Sequence, residues 1–207
     1  MVTPTLLTMT KGTMSISRSA QTSTPIHELL SERWSPRSFD PSVEVAEDKI
    51  VAALEAARWS ASASNKQPWR FIVARRGTPE HDAIVQNLMG FNQEWAGSAA
   101  ALIVNIAETT DAAGSPQRWA EYDLGQAVAH LTVQAHHDGL HVHQMGGIEV
   151  EGLREAFEIE ARFVPVSVTA LGVLGAPELL PTEKLRDREV LPRDRKALDE
   201  LLLVDAR

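Results

Sequence analysis

The sequence predicts an α+β fold in which a buried sheet is covered by helices. Apolar runs of strand length alternate with helical apolar stripes along most of the chain. The 207 residues suffice for one sizeable core. After a Ser- and Thr-rich start, no repeat, low-complexity block or composition break divides the rest.

Residues 1–24 show little periodicity and read as a flexible N-terminal arm, with Met14 an alternative start. The arm lacks the apolar core and cleavage site of a secretory signal, so the cytoplasm is the expected location. Residues 25–207 read as a single domain. "IHELLSER" is a short helix. From Glu47 to Ser60 the positions Ile50, Ala53, Leu54 and Ala57 mark an amphipathic helix. Val45 and Ala46 cannot cap it, although Glu47 and Asp48 suit the positive end of its dipole. "WRFIVAR" is a strand bounded by Pro68 and Gly77. "PEHDAIVQNLMG" reads as a helix closed by Gly90, and "AAALIVNIAE" as a buried strand.

"QRWAEYDLGQAVAHLTVQAHHDGL" is the longest helix, stopped by Gly139. Leu124, Val128, Leu131 and Ala135 form its apolar stripe; Gly125 and Ala129 would let another helix come close. "HVHQM" is a short strand before Gly146 and Gly147, "EVEGLREAFEI" a helix and "FVPVSVTALGVLG" the last strand. From Ala176 the chain is charged and proline-punctuated, with an apolar end that should dock somewhere.

Twenty basic against 28 acidic residues leave a net charge of −8, which argues against a general nucleic-acid binder. No apolar run reaches transmembrane length. The absence of Cys removes disulfides, thiolate nucleophiles and Cys-ligated metals. Arg33, Ser35 and Arg37 stand two residues apart, so an extended backbone would put two guanidiniums and a hydroxyl on one face. Such a group suits an anion, phosphate above all. Arg193 and Arg195 repeat the spacing near the other end. If the two pairs meet they form a monophosphate clamp; if not, each is a solvated basic loop. Neither a P-loop nor a G-x-G-x-x-G turn is present.

In "SASASNKQPWRF" small residues lead to the carboxamides Asn65 and Gln67 and then to Pro68 and Trp69. A carboxamide offers donors and an acceptor on one planar group, chemistry that suits a heterocycle with alternating N–H and C=O edges. The plainer reading is a helix stop turning into a strand.

Arg33-Trp34-Ser35-Pro36-Arg37-Ser38-Phe39 resembles the R-x-S-x-R-x-F opening of the FMN-dependent nitroreductase family. Residues 62–71 resemble its P-S-x-x-N-x-Q-P-W-x-F signature, with the same helix between. "DLGQAVAHLTVQAHHDGL", "MGGI", "VPVSVTALGVLGAP" and "PRDRKALDELL" resemble its long helix, flavin-side glycine, final strand and basic tail. The likeness spans about residues 26–204. Ala61 precedes Ser62 where the family often has Pro, and Gly146 stands where many members carry an acid.

This resemblance implies a three-layer sandwich, a mainly antiparallel sheet surrounded by helices, in an intertwined homodimer with FMN at the interface. It implies phosphate contacts from Arg33, Ser35, Arg193 and Arg195, with Lys196 a rival for Arg195. Trp34 would contribute backbone, and Arg37 would give electrostatic support near the flavin N1–C2=O side. Asn65 and Gln67 would meet the pyrimidine edge, and Gly146–Gly147 would bring backbone against the isoalloxazine. No protein nucleophile is implied. The activity implied is reduction of nitroaromatics, quinones or related small acceptors by NADH or NADPH, in ping-pong order. The alternatives are a non-catalytic flavin- or nucleotide-binding protein and a dehalogenating or flavin-fragmenting member, although no distinctive lid sequence is present.

His136, His137, His141 and His143 invite a metal reading, but Gly139 splits them between two elements and no metal motif fits, so no metal is expected. Segments 91–95 and 109–119 are the expected covers of the site. Trp95, Trp119 and Tyr122 are candidates to stack on a substrate or to fill core.

Overall fold

A computed structural model describes residues 9–10, 13–14 and 18–206. The expected N-terminal arm therefore lies largely outside the described residues. Within it, β1 (Met9–Thr10) pairs with β2 (Thr13–Met14). Helices α1 (Glu28–Glu32) and α2 (Glu47–Arg58) precede β3 (Trp69–Arg75), α3 (Pro79–Gln86), α4 (Gln93–Ala96) and β4 (Ala101–Glu108). The long α5 (Ala120–His137) leads to β5 (His141–Met145), α6 (Val150–Phe157) and β6 (Phe163–Gly172). Helices α7 (Glu183–Val190) and α8 (Leu198–Leu201) complete the chain.

The main sheet has the order β3-β4-β6-β5 and is antiparallel throughout. Alternation along the wholly buried β4 separates two cores. Ala101, Ile103 and Ala107 face Ile50, Ala53 and Ala57 of α2 and the stripe Leu124, Val128, Leu131 and Ala135 of α5. Leu102, Val104 and Ile106 face Ile84, Trp95, Leu153 and Leu185 from α3, α4, α6 and α7. The result is three layers, helix–sheet–helix, as expected. Asn105, buried in β4, donates to Ser167 and Thr169 across the strand pair at 3.0 and 2.8 Å.

Helix α3 ends at Gln86, not at Gly90. Asn87 turns its carboxamide back to the Ala83 carbonyl at 2.9 Å, and residues 87–89 leave the helix to bond residues 147–149. Tertiary pairing there overrides the helical pattern. Gly139, at φ +78°, stops α5. Helix α7 forms in the charged, proline-punctuated tail. Thr182 caps it by accepting from Leu185 N, and Leu185 anchors it in the second core. Among the described residues the apolar end does not dock: Leu201, Leu203 and Val204 are exposed. Among the described residues no helix is long and apolar enough to cross a membrane.

Candidate functional site

The segment after α1 is held by a carboxylate from far along the chain. Glu189, only 2% exposed, accepts the backbone N–H groups of Arg37 and Ser38 at 2.9–3.1 Å. Its side chain lies 4.0 Å from the Arg37 guanidinium. Arg18 donates to the Glu189 carbonyl and stacks on Trp34 with 3.8 Å to the ring centroid. The Trp34 indole is thus engaged inside the chain.

With the segment so fixed, Arg33 but not Arg37 comes near the tail arginines, Arg193 reaching the Ser31 carbonyl. Arg33 donates to Ser35 Oγ at 3.3 Å. Burial, first, and then Arg193 and Arg195 hold the Arg33 pKa below its ordinary value. Arg193 is lowered by burial and by Arg195, with Glu32 opposing, and it donates to the carbonyls of Arg18 and Ser31. Arg195 is exposed and donates to the Asp194 carbonyl at 2.6 Å. Among the described residues no carboxylate forms a salt bridge to Arg33, Arg193 or Arg195. Arg33 and Ser35 edge a cleft of about 340 Å³ that also takes in Gly125, Ala129, Thr132 and Gln144. Arg37 does not line that cleft; its guanidinium lies 5.8 Å from the Phe91 ring centroid.

Asn65 and Gln67 occupy a tight, strained turn. Ser64, Asn65 and Gln67 have φ of 52°, 54° and 51°. Left-handed backbone costs a residue with a side chain on the order of 1 kcal/mol, and such strain clusters at functional sites. Buried Asp123, in the first turns of α5, accepts Ala63 N at 3.0 Å, and Ser62 Oγ accepts Gln67 N at 3.0 Å. Arg70 donates to the Gln67 carbonyl at 3.0 Å and to Glu108, which also binds Arg162. Both carboxamide residues are exposed, and neither lines the Arg33 cleft.

Gly146 is open: a Cβ built there would meet nothing within 4 Å. The Gly147 carbonyl accepts Met89 N at 2.9 Å and the Asn92 carboxamide at 3.4 Å. His143 bonds the Pro36 carbonyl through Nδ1 at 2.9 Å and lies 4.7 Å from Trp95, ring to ring. Burial, chiefly, pushes His143 and His141 down to about 4. His141 meets His136 and Trp34 instead, so His141 and His143 have different partners. Trp95 is core; Trp119 and Tyr122 are exposed and meet edge to face.

The nitroreductase family model matches residues 30–86, the span that holds both the Arg33 segment and the carboxamide turn. A crystal structure described as an oxidoreductase containing FMN superposes with a TM-score of 0.85 at 34% identity, over 94% of this chain and 98% of that one. The chain belongs to the nitroreductase family.

Among nitroreductase relatives and other similar chains, an uncharacterised 15.4 kDa protein of Mycolicibacterium smegmatis is 34% identical, over 64% of this chain and 92% of its own. The major NAD(P)H-flavin oxidoreductase of Aliivibrio fischeri is 39% identical over 33% of each chain. Three residues that organise this candidate site carry no role in the sequence reading. Asp123 lies in a quoted motif, D-x-G-x-A, and could have been found by asking what the α5 N-terminus holds. Glu189 carries no local signal, because its partners lie 151 and 152 residues away. Arg18 sits in a stretch read as an arm.

Proposed function

We propose that this nitroreductase is an FMN-dependent enzyme that oxidises NADH or NADPH and reduces nitroaromatic, quinone or related small acceptors. The observation that carries the proposal is that Arg193 reaches the Ser31 carbonyl, beside Arg33 and Ser35, and that none of Arg33, Arg193 and Arg195 forms a salt bridge among the described residues, although the tail arginines do not line the Arg33 cleft. Three like charges, half-buried in part, with Glu32 acting on Arg193 but no salt bridge to any of them among the described residues, fit a dianionic terminal phosphate. FMN carries one; its ring would supply the hydride chemistry when bound.

The chain's own residues would divide the remaining work. Arg33, Ser35, Arg193 and Arg195 hold the phosphate. Trp34, its indole spent on Arg18, offers backbone. Gly146, open at its Cβ position, allows close approach of a ring, and Gly147 is anchored through its carbonyl. Asn65 and Gln67 present matched donors and acceptors to a pyrimidine edge, where an unmatched buried group costs about 1–3 kcal/mol. Arg37 gives positive charge without being a catalytic residue.

Because the carboxamide pair does not line the Arg33 cleft, one chain alone does not enclose a flavin with both sets. A homodimer resolves this, and two features support it: exposed Gly125 and Ala129 on α5, and the apolar end of the tail. A single domain over 25–207 and a cytoplasmic location complete the proposal.

The test is direct. Purified protein should be yellow and release FMN, not FAD, and Arg33→Ala should weaken FMN binding by about 1.5–3 kcal/mol, the range for hydrogen bonds to charged groups. With FMN loaded, initial rates over NAD(P)H and quinone should give parallel double-reciprocal lines. A colourless protein that takes up no FMN removes the proposal; intersecting lines remove the ping-pong order.

A further inference from the structure

The roles above leave the surroundings of Phe91 unused. Three cations approach its ring: Arg188 at 5.0 Å, Lys184 at 5.7 Å and Arg37 at 5.8 Å from the centroid. Lys184 and Arg188 stand four residues apart on α7 and so share a face. The carboxylate beside them, Glu189, is already engaged by the Arg37 and Ser38 N–H groups. Neither Lys184 nor Arg188 forms a salt bridge or side-chain hydrogen bond among the described residues. Arg37 Nε is buried without a partner. Three cations around one ring with a single salt bridge among them, Arg37 to Glu189, leave a place for an anion beside Lys184 and Arg188.

The location is informative. Met89 and Asn92, on either side of Phe91, both bond the Gly147 carbonyl, so the cluster abuts the Gly146–Gly147 turn. The chain carries −8 overall, a field that repels anions, and a local cationic cluster reverses it where the ligand must enter. Two guanidiniums and an ammonium match a phosphate better than a single carboxylate.

We propose that Phe91, Lys184, Arg188 and Arg37 form the docking site for a phosphate group of the nicotinamide reductant. This rests on the functional reading above. Every such reductant carries a pyrophosphate, and NADPH adds a 2′-phosphate. The site therefore serves each turnover whatever the acceptor.

The experiment uses FMN-loaded Lys184→Gln/Arg188→Gln protein; both residues are exposed, so unchanged melting and flavin content are the folding controls. NAD⁺ and NADP⁺ are titrated calorimetrically into the oxidised protein. KM and kcat are measured with NADH, NADPH and the phosphate-free 1-benzyl-1,4-dihydronicotinamide. The expected result is about tenfold weaker binding and higher KM for a phosphate-bearing nucleotide, the sum of two screened charge contacts. The kcat should hold, and the benzyl compound should be unaffected. A loss confined to NADP⁺ and NADPH assigns the 2′-phosphate, and an equal loss for all four nucleotides assigns the pyrophosphate. Unchanged nucleotide affinity overturns the site, as does an equal loss for the benzyl compound or a fall in FMN content. Wild-type protein that binds no FMN or oxidises no dihydronicotinamide defeats the functional reading itself, a result recognisable before any variant is made.

Discussion

Replacing Glu189 by Ala should unfasten the Arg33 segment from the tail. In the native chain the carboxylate is 2% exposed and accepts two backbone N–H groups at 2.9–3.1 Å. Each buried N–H left without an acceptor costs about 1–3 kcal/mol. The pairing with Arg37, at 4.0 Å and partly exposed on the arginine side, adds little. The expected loss is roughly 3–5 kcal/mol, the usual cost of removing one partner from a buried charged contact. For a chain of this size that lowers the melting temperature by roughly 10 °C. Glu189→Gln keeps an acceptor oxygen and should lose only about 1–2 kcal/mol, the charge-assisted share of the bonds. Urea unfolding of both variants, with FMN affinity measured on the same samples, separates the terms. Affinity should fall with stability, because Arg33 and Ser35 ride on the same segment. An Ala variant within about 0.5 kcal/mol of wild type, or Gln and Ala variants of equal stability, would refute the reasoning.

Asp123→Ala should cost about 1–3 kcal/mol and speed amide exchange across residues 62–67, whereas Asp123→Asn should stay close to wild type; exchange mass spectrometry reads both. Stability should fall as pH drops from 6.5 toward about 4, because half-buried His141 and His143 are held near 4 while their unfolded counterparts bind protons from 6.5 downward. His141→Phe should flatten that curve, since the His141 Nδ1 has no partner to lose, and parallel denaturation midpoints across pH would contradict it. Deleting residues 198–207 should give monomeric or aggregated protein without flavin by size exclusion, and a monomer that retains flavin would count against the homodimer.

The strands were legible because their signals are local. Trp69–Arg75 and His141–Met145 match the quoted segments, each bounded by Pro or Gly in the sequence. The α5 stripe read true because one helix face packs on one core, against the sheet and α2. Helix α7 was not legible: "EKLRDREV" has one buried aliphatic residue, Leu185, and no stripe. Its one signal, the Thr182 cap, stands behind a proline that reads equally as loop. The site divided the same way. Residue types pointed to Arg33, Ser35 and the tail arginines, but whether they met depended on Glu189, and nothing local to either segment encodes that pairing. The one-face expectation for Arg33, Ser35 and Arg37 met a similar limit. Periodicity set the spacing, but Glu189 and Phe91 took Arg37 away from the cleft.

The left-handed turn at Ser64, Asn65 and Gln67 has a consequence for how this protein can be improved. Glycine adopts such backbone freely, so a glycine at any of the three positions relaxes the native turn. Selection for heat tolerance alone would therefore favour substitutions at Asn65 and Gln67 that erase the carboxamides. On the proposed flavin contacts, selection for turnover would hold those side chains against their own backbone preference. A library scored on melting temperature and one scored on NAD(P)H oxidation should diverge first at these positions, and the two residues would mark where robustness and activity pull the sequence apart.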